Sequence, residues 1–194
     1  MWFKIIFTSL ASILGIIAFL PYLRDTLLKK TKPHVFTWLI WSITQSTAIA
    51  GIWYGGGGIG AIALTIGTIL VITIFFLSFR QGEKNITQSD TVVLLLALLA
   101  IAVWWFLKSP LLSILMVTAI DVSGFIPTFR KSFNNPQSET LSTWLMFATS
   151  NICAIIALES YNLLTITYVT ALAIAESVLV IFLLIRRKTI SAKK

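Results

Sequence analysis

The chain has a single cysteine, Cys153, and a single histidine, His34. No internal disulfide can form, and no Cys/His metal cage can be assembled within one copy. Charge is scarce too: only 11% of the 194 residues are Asp, Glu, Lys or Arg, against roughly a quarter in an ordinary soluble domain. That argues against a water-soluble globule. Acids are the scarcer sign, with seven against fifteen Lys and Arg and a net charge of +8. In a soluble protein this excess would suggest nucleic acid. Here the basic residues fall in the gaps between apolar runs, where they normally mark the cytoplasmic side of a membrane protein, so no nucleic-acid partner is expected.

What fills the chain instead is apolar: 57% of residues, with a mean hydropathy of +0.92. A run of about 20 such residues crosses a hydrocarbon core of about 30 Å. Seven runs can be placed, near 5–21, 35–53, 59–79, 91–107, 111–129, 141–158 and 163–185. They leave room for short connections and a basic tail, but not for a second soluble domain. The first run has Lys4 before it, like a signal peptide, yet it extends from Ile5 to Leu20 and ends in PYLR with no small-x-small cleavage site. It is read as the first membrane helix. With seven spans, Lys4 and Lys108 fall on one side and the remaining Lys and Arg on the other. The expectation is a multi-pass protein of the plasma (inner) membrane, with the N-terminus outside and the C-terminus in the cytoplasm.

The spans repeat. A shift of 106 positions lays residues 17–80 on 123–186 without a gap, bringing Phe19 onto Phe125, Pro21 onto Pro127, Arg24 onto Arg130, Thr37-Trp38-Leu39 onto Thr143-Trp144-Leu145 and Arg80 onto Arg186. Proline, arginine and tryptophan are not interchangeable lipid-facing residues, so their common register points to duplication of a three-helix unit. An odd number of helices inverts a second copy unless a further helix intervenes. Residues 92–107, VVLLLALLAIAVWWFL, supply that helix, with Trp104 and Trp105 placed for an interface. The expected fold is an all-α integral membrane protein with seven transmembrane helices: two parallel three-helix bundles joined by a linker helix (3+1+3). Its parts are residues 1–85, the linker 86–108, residues 109–188 and a basic tail 189–194.

The motif copies FLPYLRDTLLKKTKPHVFTWLIW from Phe19 and FIPTFRKSFNNPQSETLSTWLMF from Phe125 resemble the PQ-loop superfamily, which includes the SWEET and SemiSWEET sugar transporters and the lysosomal amino-acid exporters. Each copy has a proline late in the first helix, a basic loop, a Ser/Thr-rich entry and then a tryptophan. The glutamine that follows the family's proline is replaced by Tyr22 and Thr128, and Pro136-Gln137 lies in the loop outside the motif. The resemblance implies transport of small polar metabolites by alternating access around a site between two bundles, in some members driven by protons. The same helix arrangement occurs in a secretory-pathway cargo receptor, so fold alone does not fix function. The asparagine that the sugar transporters carry on the third helix of each bundle is missing from both copies. That shifts the expected substrate from a sugar toward an amine or amino acid.

Polar residues inside the spans are the candidate site. Gln45 and Asn151 are repeat mates at mid-span, where a carboxamide is costly against lipid and offers a polar solute both donors and acceptors. One turn earlier the mates Trp41 and Phe147 form an aromatic wall, and Thr68 adds a hydroxyl from the third span. Interhelical hydrogen bonding is the competing reading of these groups. Asp121 and Glu176 stand near helix centres, where a carboxylate costs about 2.5–3.5 kcal/mol on insertion scales. They have no carboxylate repeat mate, since Asp121 falls on Gly15 and Glu176 on Leu70. They are read as proton-coupling or cation-binding groups, with hydrogen bonds to Thr118, Thr170 or Ser177 as the structural alternative. Pro21 and Pro127 serve either as hinges or as helix ends. Enzyme chemistry is not expected, because His34 has no acid at useful spacing and no nucleophile–base pair stands out. No cofactor is expected. The reading is a transporter of a small polar metabolite, with a membrane receptor or assembly protein of the same fold as the alternative. Whether it works as a homo-oligomer is left open.

Overall fold

A computed structural model describes residues 2–29, 33–82, 86–134 and 136–191. Among these, the chain is all-helical with no strand. The helices are α1 (Trp2–Leu27), α2 (Val35–Tyr54), α3 (Ala61–Gln81), α4 (Gln88–Leu107), α5 (Pro110–Ser123), α6 (Phe125–Asn134), α7 (Leu141–Ala157) and α8 (Leu163–Ser191). Five are long and apolar enough to cross a bilayer: α1, α2, α3 with the preceding turn, α4 and α8. The apolar helices α5 and α7 are shorter. This is the signature of an all-α, multi-pass membrane protein.

Local chemistry sets the helix starts. His34 caps α2, its Nδ1 accepting the Thr37 N–H at 3.4 Å. Thr87 and Asp90 form a reciprocal capping box on α4, and Pro110 opens α5 at a position where its missing N–H costs nothing. The Asn162 side chain accepts the N–H groups of Leu164 and Thr165 at 3.0 and 3.3 Å, capping α8.

The fifth span differs from the continuous run expected over 111–129. α5 stops at Ser123, Gly124 intervenes, and the short basic helix α6 follows. Pro127 has no N–H to donate to the Ser123 carbonyl, and Gly124 adds backbone freedom at the same turn. In the first copy the mate of Gly124 is Ala18, a good helix former, and α1 runs unbroken through Pro21 to Leu27. Pro21 is therefore not a helix end.

The helices α1–α3 and the set α5, α7 and α8 pack in the same order. α3 packs against α1 and α2, and α8 packs against α5 and α7. Between the copies α1 lies along α7 and α2 along α5, with α8 also touching α2; α4 rests on both α2 and α5. The central cluster buries Ala48, Ile52, Ala100, Ile114, Val117 and Tyr168, which come from α2, α4, α5 and α8. Outward faces remain apolar, as lipid contact requires: Phe76, Leu95, Ile174 and Ile181 are each more than half exposed.

Candidate functional site

The polar residues inside the helices fall into three layers. In the first, α3 presents Thr68, whose hydroxyl donates to Gln45 Oε1 on α2 at 3.2 Å. In the second, Asn151 Nδ2 on α7 donates to Glu176 Oε2 on α8 at 2.9 Å. The two repeat-mate carboxamides are thus both held by the third helix of their own copy, through a neutral hydroxyl in one and a carboxyl in the other. Thr118, Thr170 and Ser177 are not the partners; the Thr118 hydroxyl turns back to its own helix at the Ile114 carbonyl, 2.6 Å away.

Asp121 makes the third layer. It is 6% exposed on α5, and the phenol of Tyr168 on α8 donates to its Oδ2. Oδ1 has no hydrogen-bond partner among the described residues. Thr44 of α2 lies beside the carboxyl, but its hydroxyl is directed to the Ile40 and Trp41 carbonyls of its own helix at 3.1 and 3.3 Å. Asp121 thus stands where α5 meets α2, with Oδ2 held by Tyr168 of α8 and Oδ1 without a hydrogen-bond partner among the described residues.

The 106-residue shift exposes how uneven the two seams are. The mates of Asp121 and Thr44 are Gly15 and Ser150, and these also meet. A Cβ added at Gly15 would sit 3.4 Å from Ser150 Oγ, and Ser150 donates across the α1–α7 seam to the Ala11 carbonyl at 2.8 Å. One seam is closed by a glycine contact and a hydrogen bond. The equivalent place on the other holds a carboxyl with an unfilled acceptor.

Aromatic rings cluster toward the Pro21 end of the same interface. Trp41 packs edge-on against Trp38 at 5.2 Å, and Phe147 against Phe19 across the α1–α7 seam at 5.1 Å. Trp41 and Phe147 therefore sit within ring clusters on opposite copies. Pro127 is placed in the first turn of α6, and its side chain lies outside the described residues.

The opposite end is stitched across the copies. Lys4 Nζ donates to the Leu158 carbonyl at 2.7 Å, the Glu159 N–H to Gly57 O at 3.0 Å, and Asn162 Nδ2 to Gly55 O at 2.7 Å. Gly58 has φ +59, a left-handed conformation that favours glycine, and faces the Glu159 side chain. Asn162 and Tyr168 were not singled out in the sequence. Asn162 carried a cap signal, three residues ahead of Thr165 at the start of an apolar run. Tyr168 looked like an ordinary aromatic in one.

Among the described residues no group of three or more His, Cys, Asp or Glu could hold a metal ion. Two surface grooves of about 460 Å³ each lie on the lipid-facing side, one between α1 and the start of α3, the other between α5, α6 and α8; neither is lined by Gln45, Asn151, Asp121 or Glu176. Comparison with protein families, curated proteins and solved structures finds no match to this chain.

Proposed function

We propose that the chain is a membrane transporter of a small polar metabolite, working by alternating access between two three-helix bundles with α4 as the linker. The observation that carries this reading is the polar layer at the α2–α5 seam, where a buried Asp121 keeps an acceptor unfilled. An ionised carboxylate without a partner is costly in a low-dielectric interior. A proton or a cationic group arriving at Oδ1 removes that cost, so binding there is linked to how the two copies meet. Repeated packing around two seams, together with resemblance to PQ-loop proteins, supports bundles that rock against each other. The stitches at Lys4, Glu159 and Asn162 act as the closure of one end, and the aromatic rings lie toward the other.

In this reading Asp121 takes the proton or cation. Gln45, Asn151, Glu176 and Thr68 present amide, carboxyl and hydroxyl groups to the solute, and Trp41 and Phe147 flank it. The unbroken helix at Pro21 lacks one backbone hydrogen bond, which makes it a place for α1 to bend. An interior with carboxyls but without the third-helix asparagines favours amines and amino acids over sugars. The lysine and arginine distribution places the N-terminus outside and the C-terminus in the cytoplasm.

The test is solute-induced thermal stabilisation of the purified protein with a panel of sugars, amino acids and amines at pH 5.5 and 7.5, for wild type and Asp121→Asn. A pH-dependent shift lost in the variant supports the transporter and names its substrate class. No shift at either pH, with Asp121→Asn merely less stable, overturns it in favour of a receptor or assembly protein.

A further inference from the structure

The lipid-facing groove between α5, α6 and α8 has a lining unlike that of its counterpart. Val122, Phe125, Phe129, Ile174, Ala175 and Val178 make it apolar throughout, whereas the groove beside α1 includes Thr8, Ser9 and Ser12. Its α8 wall has small side chains at Ala171 and Ala175 and larger ones at Ile174 and Val178, so the slot lies over the alanines. Toward the Pro127 end Phe129 packs edge-on against Phe182 at 5.3 Å. One turn further, the Arg186 guanidinium lies 4.0 Å from the centre of the Phe133 ring and donates through Nε and Nη2 to the Phe133 carbonyl at 3.1 and 2.5 Å. An arginine has five N–H donors, so this fixed guanidinium has others to offer. Arg187 is spent on the Pro136 and Glu139 carbonyls, while Lys188 is exposed beside it.

The spacing matches a lipid. At 1.5 Å rise per residue, Val178 lies about 12 Å and Ala171 about 22 Å along α8 from Arg186. One leaflet of hydrocarbon is about 15 Å deep. A chain whose headgroup sits at Arg186 therefore passes the Phe129–Phe182 pair and ends in the groove. The α6 helix, with Arg130 and Lys131 in its sequence, is strongly amphipathic, as expected of a helix lying in the headgroup layer.

We infer that this groove holds one acyl chain of an anionic glycerophospholipid whose phosphate is bound by Arg186. It ties α6 to α8 at the basic end of the protein, where α5 is interrupted at Gly124.

The test is native mass spectrometry of the full chain equilibrated with equal amounts of palmitoyl-oleoyl phosphatidylglycerol and phosphatidylcholine. The expected result is one retained phosphatidylglycerol, favoured about fivefold, the size of one basic residue near an anionic surface. Ala175→Phe fills the slot and lowers retention of that lipid, while Ile181→Phe, on α8 but outside the groove, does not. Arg186→Gln abolishes the preference between headgroups and Arg186→Lys keeps it. Should Ala175→Phe not fold, Ala171→Leu provides the same obstruction with less bulk. Equal retention of both lipids by the wild type, or unchanged retention in the slot-filling variant, overturns the inference.

Discussion

At the scale of single residues, the Asp121–Tyr168 contact dominates. Tyr168 is fully buried, and its phenol is the hydrogen-bond donor to Asp121 among the described residues. Tyr168→Phe leaves the carboxyl with neither oxygen partnered, a loss of about 1–3 kcal/mol for a buried polar group, measurable as a lower thermal midpoint in detergent. Combined with Asp121→Leu, the phenol loss should cost much less, because no carboxyl remains to be stranded. The same logic separates the second acid. Glu176→Gln keeps an acceptor for the Asn151 amide and should unfold close to the wild type, whereas Glu176→Leu strands that amide and should cost about 1–3 kcal/mol in the same assay. Asp121 and Glu176 stood out in the sequence because a carboxyl inside an apolar run is costly and needs a partner, structural or functional. Their partners did not. Whether Tyr168 or Thr170 reaches Asp121 depends on how α8 is rotated against α5, and periodicity within one helix does not set that.

At the scale of elements, two glycines, Gly60 capping the start of α3 and Gly67 within it, behave oppositely. A Cβ at Gly60 would lie 2.6 Å from the Leu158 backbone, which cannot move without disturbing the stitches at Glu159 and Asn162. Gly60→Ala should therefore destabilise by about 1–3 kcal/mol, the usual cost of overpacking. Gly67, on the open face of α3, has nothing within 4 Å, so Gly67→Ala should stabilise by about 0.5–1 kcal/mol through helix propensity. Thermal unfolding of the two variants side by side checks both signs. The membrane helices themselves could be read from composition, and the structure places helices at all seven expected runs. The interruption at Gly124 was hidden because the apolar run continues through it, and only comparison with Ala18 in the other copy explains it.

At the scale of the whole molecule, the two seams make a prediction about motion. Gly15→Cys with Ser150→Cys, in a Cys153→Ala background, brings two thiols within reach across the α1–α7 seam. Oxidation should cross-link them and hold the copies together. Under the proposed function the cross-linked protein no longer moves solute in vesicles and recovers on reduction. Full activity while cross-linked would show that this seam does not open. The 106-residue shift could be read from the sequence, but the unevenness of the two seams, a glycine contact on one and a carboxyl on the other, needed the packing.

The pairing of α1 with α7 also has a consequence in time. The chain is made from its N-terminus, and the α7 partner of Ala11 and Gly15 is completed well over a hundred residues after them. Until then this stripe must wait in lipid, or against whatever chaperone attends it. Small, uncharged side chains are what such a delay demands, since a carboxyl there would oppose insertion before any partner existed. The mate of Gly15 meets a different order: when Asp121 leaves the ribosome its neighbour α2 has already been made, and its donor Tyr168 follows within the next helices. The acid sits on the copy that arrives second.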